Sequence, residues 1–147
     1  MSNHVAFGNL TGALPSGRRA FKAFTPGLTP SPEATNNILD NLSDVSGLDP
    51  ESMDNNIAYN VKFVPSASRT HAQTVGEIAA YVRAFFQKGG MQMQLNIVSS
   101  AVLKDAVLHP ENYRDLLVRI SGYNAYFITL NSQMQQELIE RAEYDGK

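Results

Sequence analysis

LLVRISGYNAYFITL, residues 116–130, carries two short β-like runs, LLVRI (116–120) and AYFITL (125–130), on either side of Ser121-Gly122-Tyr123-Asn124. Gly122 suits the tip of a tight turn between two strands, because a positive φ costs glycine nothing. The residue also has a chemical peculiarity: its Cα bears two hydrogens and no side chain. Removing one hydrogen leaves a planar radical delocalised between an amide nitrogen and a carbonyl, and a side chain would crowd that centre. Turn tip and radical centre are therefore both open readings of Arg119-Ile120-Ser121-Gly122-Tyr123.

The pattern around this stretch is α+β. Upstream, IAYNVKFV (57–64) alternates Ile57, Tyr59, Val61 and Phe63 with Ala58, Asn60 and Lys62, which predicts a half-buried strand ended by Pro65. Val75, Ile78, Ala79, Val82, Phe85 and Phe86 recur at helical spacing, with Thr74 and Glu77 as a capping box and Gly89-Gly90 as the stop. MQMQLNIV (91–98) alternates again and predicts a second strand. Ser99 or Ser100 caps a helix through Val102, Leu103, Ala106 and Val107. After the Gly122 stretch a last helix is expected from Ser132 to Ala142, with Ser132 and Gln135 as its capping pair.

Residues 1–56 differ in kind from residues 57–147. They hold Pro15, Pro26, Pro30, Pro32 and Pro50, five of the seven prolines, among many Gly, Ser, Thr and Asn. Turns are expected there, with one short helix over Leu39–Leu48 capped from Asn36, Asn37 or Asp40. Such a stretch is either a long surface loop or a segment that folds only against other protein, and its length argues for the latter or for disorder.

Composition narrows the chemistry. The 147 residues have no cysteine and a net charge of −2, which removes disulfides, thiolate metal sites, iron–sulfur ligation and cysteine nucleophiles, and leaves no basic footprint for nucleic acid or a membrane surface. No run reaches the ~18 to 20 apolar residues of a membrane span, so a soluble cytoplasmic chain is expected. His4, His71 and His109 stand far apart and predict no metal site. Glu33, Asp40, Asp44, Asp49, Glu51 and Asp54 are scattered, as caps and turn residues are. Gly8-Asn9-Leu10-Thr11-Gly12 lacks the Lys-Ser/Thr of a phosphate loop. Gly17-Arg18-Arg19 is either an exposed turn or a pair of guanidinium groups offered to an interface.

A resemblance favours the second of the two readings of Gly122. The chain resembles the C-terminal portion of the glycyl radical enzymes, the pyruvate formate-lyase superfamily. The matching residues are Gly12-Ala13-Leu14-Pro15-Ser16-Gly17-Arg18-Arg19-Ala20, Asn60-Val61-Lys62-Phe63, Gly89-Gly90-Met91-Gln92, Leu95-Asn96-Ile97-Val98, Leu103-Lys104-Asp105-Ala106, His109-Pro110-Glu111-Asn112-Tyr113 and Val118-Arg119-Ile120-Ser121-Gly122-Tyr123. The family signature is written R-V-S-G-Y, and Ile120 stands where it has Val. The resemblance implies that Gly122 bears the radical and that Arg119, Ile120, Ser121 and Tyr123 form its loop.

It also implies the partners. A radical S-adenosylmethionine activating enzyme, holding an iron–sulfur cluster, would abstract the glycine hydrogen, so the chain itself binds no cofactor. The radical would then pass to a cysteine in a β/α barrel. The absence of cysteine here means that this chain is not expected to turn over substrate alone. On this view residues 57–147 form the glycyl radical domain of short strands and packed helices, and residues 1–56 pack on a barrel the chain does not contain. A split subunit or C-terminal fragment is expected, with a spare part that repairs an oxygen-cleaved enzyme as the alternative. Tyr123-Asn124-Ala125-Tyr126-Phe127 is more similar to the dehydratase, decarboxylase and succinate-adding branches than to pyruvate formate-lyase itself. The contrasting expectation is a non-catalytic α+β binding module in which Gly122 is only a turn.

Overall fold

The computed structural model describes residues 3–15, 17–53, 57–141 and 143–145. Ser16, Asp54 and Ala142, each used in the sequence reading, lie outside them. The α+β expectation holds: short strands and helices, with no closed barrel among the described residues.

The alternating run at 57–64 forms β1 (Ala58–Val64), the middle strand of a three-stranded sheet. β2 (Gln92–Asn96) and β5 (Glu143–Asp145) flank it, and both pair with it in parallel, in registers that place Asn60 opposite Gln94 and Lys62 opposite Asn96 and Glu143. The expectation of a half-buried strand fails here. A central strand of a parallel sheet is covered on both faces, and Asn60 and Lys62 are as buried as Val61 and Phe63. Their donor groups are matched inside, while Asn60 Oδ1 has no partner among the described residues. Asn60 Nδ2 donates to Thr29 Oγ1 at 3.1 Å and Pro26 O at 3.3 Å. Lys62 Nζ donates to Ser100 Oγ at 2.7 Å and to Ile139 O at 2.9 Å.

The apolar face of β1 builds the main core. Tyr59, Val61 and Phe63 pack with Ile38, Leu42 and Val45 of α2 (Ile38–Ser46), with Phe85 of α3 (His71–Gln87), and with Tyr144 of β5. Residues on either side of position 56 thus share one core. A second cluster joins Leu103 and Ala106 of α4 (Ser100–Leu108) to Val118, Phe127 and Leu138. The amino-terminal stretch adds a short helix, α1 (His4–Asn9), that the sequence did not announce. The segment 22–24 crosses it at Gly8 so closely that a Cβ there would come within 2.4 Å of Lys22 O.

Several helix starts fall elsewhere than expected. Thr70 and Gln73 form the capping box of α3, one turn before Thr74 and Glu77. His71, Ala72 and Gln73 are exposed, so no apolar period marks that first turn. Glu77 instead pairs with Arg69 at 3.1 Å. The last helix, α5 (Ser132–Glu140), is capped by Asn131 rather than Ser132, and Gln135 donates to Phe127 O instead of closing a box. Ser99 caps α4, and Asn37 caps α2.

The buried lysine gives this sheet a pH dependence. Burial pulls the Lys62 ammonium down to about 8 from 10.5, with Glu143 opposing the fall. Between those values the folded chain binds fewer protons than the unfolded one, so the penalty for burying the charge, fully present below about 8, disappears as pH rises. Denaturation of the parent chain and Lys62→Met should therefore diverge from roughly pH 8 upward, the parent gaining relative stability through that window. Parallel curves would show that Lys62 keeps its ordinary affinity for the proton.

Candidate radical site

β3 (Leu117–Arg119) and β4 (Asn124–Tyr126) form an antiparallel hairpin that pairs Leu117 with Tyr126, Val118 with Ala125 and Arg119 with Asn124. The second strand is shorter than AYFITL implied. Phe127 N donates to Leu116 O at 2.8 Å, after which residues 127–129 wind into a 3₁₀ turn that sends the Phe127 ring into the core. At the other end, Ile120 N donates to Tyr123 O at 3.0 Å, leaving Ser121-Gly122 as the tip.

Gly122 has φ +79°, a conformation that disfavours side chains. It is exposed, and a Cβ built on it would meet nothing within 4 Å. Crowding therefore does not demand glycine at this position in the chain by itself; backbone conformation does. The flanks are the opposite. Ile120 is fully buried beside Val5 of α1 and Met134 of α5, and Ser121 is buried next to it. The hairpin is anchored at its neck and exposed at its tip.

Two amide side chains of β2 hold it from one side. Asn96 behaves as a further backbone unit: Arg119 N donates to its Oδ1 at 2.7 Å, and its Nδ2 donates to Arg119 O at 2.8 Å. Gln94 Oε1 accepts from Gly122 N and from Arg119 Nε, both at 3.1 Å. Arg119 also reaches Asn124 Oδ1 at 3.2 Å, across the hairpin.

Arg141, just past α5, holds the other side. Both of its terminal nitrogens reach Ile120 O at 3.4 Å, and its fork is closed by Glu137, with contacts of 2.8 Å and 3.1 Å. Both side chains are buried. His4 Nε2 lies 3.6 Å from Glu137 Oε2. Burial works to raise the Glu137 carboxyl, but His4 and Arg141 outweigh it and hold the group below its ordinary range. The helix α1, the last helix and the neck of the turn thereby meet at one buried cluster.

Within the expected loop motif, Arg119 and Ile120 lie at the neck, Ser121 is buried, Gly122 is exposed at the tip and Tyr123 is exposed beside it. The expected interface pair divides. Arg18 turns inward, donating to the carbonyls of Gly8 and Gly12 at 3.0 Å and to that of Lys22, and lies 4.5 Å over the Phe24 ring. Its geometry organises the amino-terminal loop, while Arg19 stays exposed. Sequence reasoning missed Gln94, Asn96, Glu137 and Arg141. A signal existed for the last two, opposite charges at i,i+4 among the apolar positions of a helix. Among the described residues no three His, Asp or Glu side chains gather as a metal site would need, and no helix is long and apolar enough to cross a membrane.

With this geometry in view, comparison with known proteins gives a consistent answer. The family model described as "Glycine radical" matches residues 24–128, which include β1, β2 and the hairpin. The chain is 37% identical over 148 residues to indoleacetate decarboxylase from Tractidigestivibacter scatoligenes, covering 99% of this chain and 17% of that protein. It is 34% identical to the 4-hydroxyphenylacetate decarboxylase glycyl radical subunit of Clostridium scatologenes, covering 99% of this chain and 16% of that one. Among solved structures, the glycerol-bound B12-independent glycerol dehydratase from Clostridium butyricum superposes with a TM-score of 0.89 at 33% identity, over 98% of this chain and 18% of that one. The structure describing 1,2-propanediol dehydration in Roseburia inulinivorans gives 0.87 at 35% identity, over 95% and 18%.

The chain belongs to the glycine radical family, whose model covers most of it. More narrowly, it corresponds to the C-terminal region of glycyl radical enzymes, and its relatives include decarboxylases and dehydratases. It spans less than a fifth of the length of each of the relatives named above, 16–18%.

Proposed function

We propose that Gly122 is the radical-bearing residue and that this chain is the radical store of a glycyl radical enzyme of lyase, dehydratase or decarboxylase type. The observation that carries the reading is the contrast at the hairpin, a locked neck and an open tip. A glycine radical is most delocalised when Cα and both flanking peptide groups are coplanar, so a φ of +79° must change as the radical forms. Empty space around Gly122 gives room for that flattening, and the bonds to Arg119, Ile120 and Gln94 keep it local.

The balance of atoms is simple. The iron–sulfur cluster of an activating enzyme would give one electron to S-adenosylmethionine, splitting it into methionine and a 5′-deoxyadenosyl radical, and that radical would take one hydrogen atom from Gly122 Cα and leave as 5′-deoxyadenosine. The unpaired electron remains on Cα. In the second step a cysteine S–H gives its hydrogen atom to Cα, the glycine is restored, and a thiyl radical begins substrate chemistry. This sequence has no cysteine, so the thiol belongs to a barrel outside it, whether in a separate subunit or in the remainder of a longer protein. Both partners would meet the chain in the cytoplasm.

Activation tests this reading. The chain, labelled with glycine deuterated at Cα, is incubated anaerobically with a radical S-adenosylmethionine activating enzyme, and the nucleoside product is weighed by mass spectrometry. One deuterium per 5′-deoxyadenosine is expected, and none from labelled Gly122→Ala. Unlabelled nucleoside from the parent chain would contradict glycine as the hydrogen donor.

A further inference from the structure

Gln94 is almost wholly buried, yet its two amide atoms fare very differently. Oε1 accepts two hydrogen bonds, from Gly122 N and Arg119 Nε. Nε2 is buried and has no partner among the described residues. A buried donor left unmatched is unfavourable, so an apolar side chain of similar length would suit this slot better if it only had to be filled. The met half of the amide is the half that faces Gly122.

The geometry points to Gln94 as a positioning residue for the glycyl radical, an inference that rests on Gly122 being the radical site. Its effect has two parts. Accepting from the Gly122 N–H fixes that peptide plane, against which Cα must flatten. Drawing on the same N–H also leaves the nitrogen lone pair richer, and that lone pair is the electron-donating partner in delocalisation across Cα. Arg119 Nε, on the same oxygen, fixes the amide orientation, since a flipped amide would set its NH₂ against two donors. Pairing of Asn60 with Gln94 across the sheet makes the mount rigid.

The test compares the full chain with Gln94→Met, which keeps volume and removes the acceptor, and with Gln94→Glu, which keeps an acceptor. Amide hydrogen exchange at Gly122, read by NMR before activation, should be about tenfold faster in Gln94→Met, the loss of one hydrogen bond. Exchange in β1 should be unchanged, and Gln94→Glu should stay near the parent. After anaerobic activation, Gln94→Met should show a shorter-lived radical with altered nitrogen hyperfine splitting, and Gln94→Glu should recover the parent values. Unchanged Gly122 exchange in Gln94→Met would overturn the inference, as would faster exchange with an identical radical. If the parent forms no radical, radical storage at Gly122 fails, while the exchange data still decide whether Gln94 holds Gly122.

Discussion

Gly122→Ala is expected to leave the fold standing and to remove the radical completely. An added Cβ meets nothing within 4 Å, so the cost is confined to a side chain at positive φ, about 1–2 kcal/mol. Such a change lowers Tm by several degrees and leaves the circular dichroism spectrum of the parent. The effect on chemistry has no such limit. A methyl group on Cα resists the flattening that delocalisation requires, and any radical formed there would couple to the methyl hydrogens instead of giving a simple doublet. Oxygen provides an independent readout. A carbon radical captures oxygen, and the peroxyl product breaks the backbone, so air should cut the activated parent at Gly122 and leave Gly122→Ala whole. Equal cutting of both chains would move the radical elsewhere.

Arg141→Ala should have the largest effect on stability, about 3–5 kcal/mol, because truncating one member of a buried ion pair strands the other. Glu137 would be left buried without its guanidinium partner, and Ile120 O would lose the donors that hold the neck of the turn. The double variant Glu137→Met with Arg141→Met should recover most of that loss, since apolar replacement of a buried pair is often close to neutral. Acid separates the pair further. The Glu137 carboxyl is held below its ordinary 4.5 in the folded chain, so its contribution is complete above that pH and disappears as pH falls through the folded value. The parent should therefore lose stability on acidification more steeply than the double variant. Chemical denaturation at two pH values reads both effects; an Arg141→Ala chain as stable as the parent would show that the pair is dispensable.

Much of this molecule was legible in its residues, and the failures share causes. β1, α3, β2 and the hairpin followed from alternation, helical period and glycine position, all of which act over a few residues. β5 escaped because three residues, Glu143-Tyr144-Asp145, are too few to show a period. Asn60 and Lys62 occupied the polar half of a strand read as half-buried, and Gln94 and Asn96 the polar half of the next alternating run. The sheet buries them because a parallel strand pair is covered on both sides, a tertiary fact invisible in a period of two. Gly122 stood out for its chemistry and its resemblance, whereas the groups that hold it come from β2 and the end of α5. Their nearness is set by folding and not by spacing along the chain.

The central claim is that the unpaired electron sits on a glycine Cα and that this glycine is Gly122. Electron paramagnetic resonance of the anaerobically activated chain addresses it most directly, because one remaining α-hydrogen splits the signal into a doublet. Chains made with ordinary glycine should give that doublet, chains made with α-deuterated glycine should give a near-singlet, and Gly122→Ala should give neither. A doublet that persists in the deuterated chain would place the radical on another residue type, and the same glycine doublet in Gly122→Ala would place it on another glycine.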